Sequence, residues 1–566
     1  MTGARAGGGK EPVHSVPSTS PRIAGLLLAA IAAALLLARL GRAELFNPDE
    51  PREAELAREM LVSGDHVVPQ LNGAPFLEKP PLFYWLVVPV FRAAGGPGEA
   101  AARLAPALCG IATVLLTFWF ARLLFGDAVG LLSGLVLLTA FEFFWIARRS
   151  MIDMPLTFAV LVACVALHRA TAHDTRSKTA WLALASAACA AALLLKGIVG
   201  AGFPALALLA WLAARRDLRG LFRPGLLAAG LLALVPAAFW VLQLGVRLGS
   251  PGVREFVLVN NVFRFTGGAA RGHDNPFWYY LPTFAADFAP WSVVLPFALV
   301  AAVRRPGARR EAVRDLLLWF VVPLVVLSIA STKRGLYLLP IYPPAAMLVA
   351  WWLSDGDAAP GEPPRGARRV AFGILFGLLG ALSVAFLWAW HLVRPASIAG
   401  ALAAAIVLAL VLGASWRALR ARDGRVLGLS VAAGAALLEL LTACALVPVI
   451  VNRGASARPI GREIRTRLEV GDQVALYGIK EGSLGGLLFY AGRTLPVLAG
   501  RDDLERHLGT GAPEGSRTLV LMRAPAFEEA ARSLPFPLVE ARRWRPAAVP
   551  WETAGANDFV LATRGP

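Results

Sequence analysis

The sequence predicts an α-helical, polytopic membrane protein that carries a small extracytoplasmic α/β domain at its C-terminus. Three observations predict it. Of the 566 residues, 57% are hydrophobic, and apolar runs of roughly 17–25 residues, each long enough to cross a bilayer core, recur along most of the chain. The arginines fall in every second loop between those runs. From about Pro459 onward the long runs give way to short β-like and charged helix-like segments.

The first 22 residues hold Gly, Ser and Pro without a sustained apolar pattern and are read as a disordered cytoplasmic N-terminus. About thirteen spans follow, near 23–41, 99–121, 128–146, 153–170, 180–195, 198–214, 223–244, 286–303, 314–331, 336–352, 370–391, 396–415 and 426–451. The first is read as a retained helix, because no A-x-A-like cleavage site follows it. The helix holding Pro340, Pro343 and Pro344 is expected to be irregular. A transmembrane unit over 23–455 is therefore expected, with periplasmic loops at 42–98 and 245–285.

The mean hydropathy is +0.59 and the sequence pI is about 10.7. The net charge of +18 is distributed as topology demands. Arg169, Arg176 and Lys178 form one basic loop, and Arg215, Arg216, Arg219 and Arg223 the next. Arg304–Arg314, Arg365–Arg369 and Arg417–Arg425 continue the phase, and Arg5, Lys10 and Arg22 open it. The positive-inside rule puts these loops in the cytoplasm and makes a nucleic-acid role a poor account of the charge. The opposite loops carry Asp49, Glu50, Glu78, Lys79, Asp153, Lys196 and Lys333-Arg334, so the acidic and mixed-charge residues converge on the outer side of the membrane. An odd number of spans sends the C-terminus to the same side.

The C-terminal stretch 456–566 is expected to be a periplasmic α/β domain. Gln473–Tyr477, Leu487–Tyr490 and Thr518–Met522 look like strands, and Asp502–His507 and Ala526–Ser533 like helices. All four cysteines, Cys109, Cys164, Cys189 and Cys444, fall in apolar runs without a CxxC pair, which argues against a zinc finger or a disulfide framework.

The chemistry-bearing residues lie at the outward span ends. Phe46-Asn47-Pro48-Asp49-Glu50-Pro51-Arg52-Glu53-Ala54-Glu55 packs acids beside a membrane helix, where they are costly unless they face water or a cation. Asn47 or Asp49 could cap the helix that follows. That helix, about Pro51–Val62, has Leu56, Met60 and Leu61 on one side and Arg52, Glu55, Arg58 and Glu59 on the other, the pattern of a helix lying in the membrane interface. Lys79 of Glu78-Lys79-Pro80-Pro81 sits among interfacial aromatics, placed to pair with a lipid phosphate or simply to sit at the headgroups. Asp153 follows Arg148-Arg149 at the mouth of the next helix, as a helix cap, a partner of those arginines, or a functional acid. Lys196 occupies a minimal outer loop, where it either finds an anionic partner or snorkels. The 245–285 loop offers Arg254, Arg264, Arg271, His273 and Asp274. No P-loop, dinucleotide glycine pattern, HExxH or GxSxG is present. With no polar cluster facing the cytoplasm, a lipid-linked donor is a better fit than a nucleotide.

Asp49-Glu50-Pro51-Arg52-Glu53-Ala54-Glu55, Ser63-Gly64-Asp65, Leu71-Asn72-Gly73 and Glu78-Lys79-Pro80-Pro81-Leu82 together resemble the aminoarabinose transferases of lipid A. More broadly they resemble the protein O-mannosyltransferase-like membrane glycosyltransferases of the GT-C fold. Leu195-Lys196-Gly197, Pro276-Phe277-Trp278-Tyr279-Tyr280 and Ser331-Thr332-Lys333 extend the resemblance over nearly the whole chain. It implies a polyprenyl-phosphate-linked sugar donor, no nucleotide, and an acceptor on lipid A, a glycan or a protein outside the membrane. It implies Asp49 as the catalytic base, Asp153 as a second acidic site and Lys79 as the lysine on the donor phosphate. It also implies a divalent metal ion (zinc, magnesium or manganese) at Glu78 and His273. Chemistry adds Glu50 as an assisting acid, and Lys196, Arg264 and Arg271 as further cations for the leaving phosphate. The competing reading from another class is a flippase of lipid-linked sugars. Inverted repeats and midplane charges would mark one, and neither is evident here.

Overall fold

A computed structural model of the chain describes residues 20–46, 48–172, 177–263, 275–304, 310–355, 365–393, 398–421, 423–454, 456–509, 515–545 and 558–565. Among them, eight helices are long and apolar enough to cross a membrane, and the pair Asp127–Leu138 and Phe141–Ala147, bent by 69°, makes a ninth if it forms one span. The four other expected segments coincide with shorter apolar helices: Pro21–Leu37, Ile198–Ala214, Trp291–Arg304 and Leu408–Arg417. The proline-rich segment is irregular as expected: Gly335–Ile341 is a 3-10 turn that continues into the helix Tyr342–Asp355.

The antiparallel pair Asp153–Thr171 and Lys178–Lys196 builds the centre of the bundle. It brings the start of one helix, Asp153, to the end of the other, Lys196. Gly197 then reverses the chain at φ 64°, beside Asn261, where a Cβ would lie 2.1 Å from the amide oxygen. At the opposite end Asp315 ties the bundle together. Its carboxylate meets His168 at 3.3 Å and also pairs with Arg215, and its carbonyl accepts from the Trp211 indole at 2.8 Å.

The helix after the first apolar segment runs Asp49–Ser63 and ends on Gly64, whose φ of 69° permits the left-handed cap. Its polar face is not open to solvent, contrary to what its amphipathic pattern alone would suggest. Glu55, Arg58 and Glu59 are buried, because the C-terminal domain covers the polar face. Arg58 grips Glu55 at 2.6 and 2.7 Å and donates to the Gly492 carbonyl at 3.0 Å. Glu59 accepts from the backbone of Asn72 and Gly73 at 2.6 and 2.9 Å. Those two residues, both at positive φ, turn the small hairpin of β1 (Gln70–Leu71) and β2 (Ala74–Pro75). Asn72 in turn exchanges two 2.8 Å hydrogen bonds with the backbone of Leu495.

The C-terminal domain is a five-stranded sheet in the order β4-β3-β5-β7-β6, formed by β3 (Gln473–Tyr477), β4 (Val497–Leu498), β5 (Thr518–Arg523), β6 (Leu538–Trp544) and β7 (Phe559–Arg564). Strands β4, β3 and β5 are parallel, and β7 runs antiparallel to β5 and β6. Helices Arg501–Gly509 and Ala524–Ser533 fall where expected. Leu487–Tyr490 is a correction: it lies within the helix Glu481–Ala491, capped by Gly492 at φ 76°. The glycines decide this, because Gly485 packs against the backbone of Arg52, where a Cβ would come within 2.6 Å of the Arg52 Cα. A strand could not present that smooth face to the helix below.

Candidate active site

Asp49 is the first residue of its helix, directly after Pro48 at the N-cap position. It is 8% exposed. One carboxylate oxygen accepts from Arg52 at 2.8 Å and the other from Arg334, 285 residues away. Asn47, the other cap expected, lies outside the described residues. Burial by itself would raise the Asp49 carboxyl, but Arg334, then Arg52 and Lys79, outweigh it and hold it below the ordinary carboxylate value.

Glu50, one residue on, points the other way. It is fully buried, is gripped by Arg103 at 2.6 and 3.1 Å, and accepts from the backbone N–H of Phe46 and Ser150, each at 3.1 Å. Arg103 also donates to the carbonyls of Leu40, Ala43 and Glu44, so this pair locks the turn that presents Asp49. Both Glu50 oxygens are engaged in that strut, whereas an assisting acid would need an oxygen turned to the substrate. Glu53 does face the cluster. It accepts from the Tyr84 hydroxyl at 2.8 Å and from Arg52 at 3.0 Å.

Asp153 and Lys196 form an ion pair whose side chains are 9% and 11% exposed. This replaces both the Arg148–Asp153 pairing and the snorkelling lysine. Arg148 instead donates to the carbonyls of Leu35 and Ala38, and Arg149 lies over the Phe46 ring at 4.7 Å. The Lys196 ammonium also sits 4.4 Å from the Tyr337 ring centre. Arg334 acts electrostatically on both Asp49 and Asp153, which joins the two acid sites into one cluster.

A cavity of about 380 Å³ opens beside the cluster. Glu78, Lys79, Lys196 and Tyr337 line its polar end. Its apolar wall follows Ile198, Gly202 and Leu206 along one helix face, about 12 Å at 1.5 Å per residue, with Val326 and Leu327 opposite. Arg264, Arg271 and His273 lie outside the described residues. Among the described residues no three His, Cys, Asp or Glu side chains group as a metal site. Of the two expected metal ligands only Glu78 is described, and it lines the cavity beside Lys79.

Sequence reasoning missed three participants: Arg334 as the partner of Asp49, Arg52 as the bridge between Asp49 and Glu53, and Tyr337 against Lys196. Lys333-Arg334 was legible as an outer basic pair, but nothing local links it to residue 49. Lys333 itself turns away, is buried, and donates to the Asn275 carbonyl at 2.8 Å.

A family model described as dolichyl-phosphate-mannose-protein mannosyltransferase matches residues 23–244. The undecaprenyl phosphate-alpha-4-amino-4-deoxy-L-arabinose arabinosyl transferase of Aeromonas salmonicida is 33% identical over 375 residues, 65% of this chain and 67% of its own length. The chain belongs to this family of arabinosyl transferases. The family member from Edwardsiella ictaluri is 34% identical over 316 residues, and the match spans 55% of each chain. The crystal structure of ArnT from Cupriavidus metallidurans bound to undecaprenyl phosphate has 23% identity and a TM-score of 0.72, over 95% of this chain and 97% of that one. That likeness establishes the fold, GT-C, for the membrane bundle and the C-terminal sheet together.

Proposed function

We propose that this protein transfers a sugar, 4-amino-4-deoxy-L-arabinose as in its relatives, from a polyprenyl-phosphate carrier to lipid A on the periplasmic side of the inner membrane. One observation carries the reading. Lys79 and Lys196, the latter paired with Asp153, line the cavity beside Glu78, and an apolar wall runs from them along Ile198–Leu206. A phosphate joined to a prenyl chain has that same division of character.

In this reading Lys79 and Lys196 hold the donor phosphate, and the Ile198–Leu206 face takes the first prenyl units. The acceptor oxygen attacks the anomeric carbon, and the bond from that carbon to the phosphate oxygen breaks. The leaving charge is spread over the two ammonium groups. When the acceptor is a hydroxyl, its proton goes to Asp49 and the anomeric configuration inverts. Asp49, held ionised by Arg334 and Arg52, is a weak base. It suffices because the attacking hydroxyl turns strongly acidic once its bond to carbon forms. A phosphate acceptor arrives without that proton, and Asp49 then orients rather than deprotonates. Asp153 holds Lys196 in place and faces the sugar.

The test is in vitro transfer with purified protein, the undecaprenyl-phosphate-linked aminosugar, and lipid A, a glycan and a Ser/Thr peptide as separate acceptors. Mass spectrometry should show one aminosugar added to lipid A and free undecaprenyl phosphate released. Transfer to the peptide alone would favour the protein-acceptor reading, which the mannosyltransferase family match supports. Movement of intact lipid-sugar across vesicles without transfer would refute the enzyme. A reporter fused after Pro566 should be accessible from the periplasm, and one in the 304–314 loop should not.

A further inference from the structure

The opposite end of the same helices holds a second pocket, of about 630 Å³, built from four helix ends. Two helices arrive there, Asp153–Thr171 and Ile198–Ala214. Two depart, Lys178–Lys196 and Pro224–Arg254. Lys178 and Lys196 end one helix, so the pocket lies about 27 Å from the candidate active site, close to the thickness of a bilayer core.

The charges here run against helix electrostatics. The amide end of a helix favours acids. Neither departing helix has an acidic residue in its first turn or a side-chain cap. Lys178 and Arg223 stand at those ends instead. Lys178 has no ion-pair partner among the described residues. Arg223 has only Asp217, at 2.7 Å, and its own side chain is 55% exposed. Arg215, the third cation, is held from behind by Asp315 and reaches Thr171 at 3.3 Å. Asp217 is thus the lone acid among the lining residues, against three cations. Leu182, Leu212 and Leu226 supply an apolar wall beside them.

We propose that this pocket binds a phosphate group between Lys178 and Arg223, from the headgroup of an anionic phospholipid or from free phosphate. A phosphate there answers two cations at once, Lys178 without an ion-pair partner among the described residues and Arg223 held only by Asp217. The leucine wall suits an acyl chain beside it.

The experiment uses the full chain in neutral detergent. Native mass spectrometry follows retention of cardiolipin, phosphatidylglycerol and phosphatidylethanolamine, and thermal unfolding is measured with each lipid and with inorganic phosphate. The two anionic lipids should be retained over phosphatidylethanolamine and should raise the unfolding temperature. Lys178→Ala combined with Arg223→Ala should lower that retention about tenfold or more. Both side chains are solvent-exposed, so the fold should tolerate the change, and Arg223→Gln alone gives a milder control. A thermal shift with inorganic phosphate but with neither lipid assigns the site to free phosphate. Equal retention of cardiolipin and phosphatidylethanolamine with no phosphate shift overturns the proposal, as does a double variant that binds like the parent.

Discussion

Asp49→Asn is the substitution that tests the proposed chemistry most directly. Asn keeps the shape, and its single amide oxygen can accept from Arg52 or from Arg334 but not from both, and it cannot take a proton. The structural cost should be small. Arg52 keeps Glu53 at 3.0 Å, and the Arg334 side chain is 32% exposed, so solvent screens the charge left behind. Such partly screened pairs contribute about 1 kcal/mol or less. The catalytic cost for a hydroxyl acceptor should be ~10²–10⁴-fold in turnover. A companion variant isolates the base. Arg334→Gln removes the chief group opposing burial at Asp49, so the acid limb of the rate profile should move to higher pH. The sign follows from the protonation state. Asp49 works only when ionised, and its depressed pKa keeps it ionised down to below its ordinary 3.8; without Arg334, protonation and loss of rate begin sooner as pH falls. The assay is transfer from the lipid-linked sugar across pH in one detergent, with thermal unfolding measured in parallel. An Asp49→Asn enzyme of parental rate on a hydroxyl acceptor, or an Arg334→Gln profile identical to the parent's, would refute the role of the base. A phosphate acceptor should be far less sensitive to Asp49→Asn.

Three further outcomes follow from the same geometry. Lys196→Ala and Asp153→Asn should both weaken undecaprenyl phosphate binding, the first by removing the cation and the second by releasing it from its position; calorimetric titration reads both, and parental affinity in either variant would exclude that role for the pair. Glu50→Gln should destabilise the fold by about 3–5 kcal/mol, because Arg103 loses its buried counter-ion, and the folded fraction should keep its turnover. Gly485→Ala should cost about 1–3 kcal/mol by forcing the Glu481–Ala491 helix off the Arg52 backbone, visible as a lower unfolding temperature.

Much of the fold is legible in the chain because a bilayer imposes strong local rules. Apolar length sets the spans, arginine phase sets their direction, and the loss of both marks the C-terminal sheet domain. Strands β3 and β5 and two of the domain's helices were readable from local pattern. Asp49, Asp153, Lys79 and Lys196 were legible as charges at outward span ends, where an ion without a purpose is costly. Their pairings were not. Arg334 meets Asp49 across 285 residues and Lys196 meets Asp153 across 43, separations over which no periodicity carries information. The division between Asp49 and Glu50 was equally hidden. Adjacent residues on a helix point about 100° apart, so one acid meets Arg52 and Arg334 and the other is sealed beneath Arg103. Only the packed structure decides which. The same holds for the Asp49–Ser63 helix. Its amphipathic pattern leaves open what covers the polar face. Only the tertiary structure supplies that cover, by bringing a glycine-faced helix from over 400 residues away onto it.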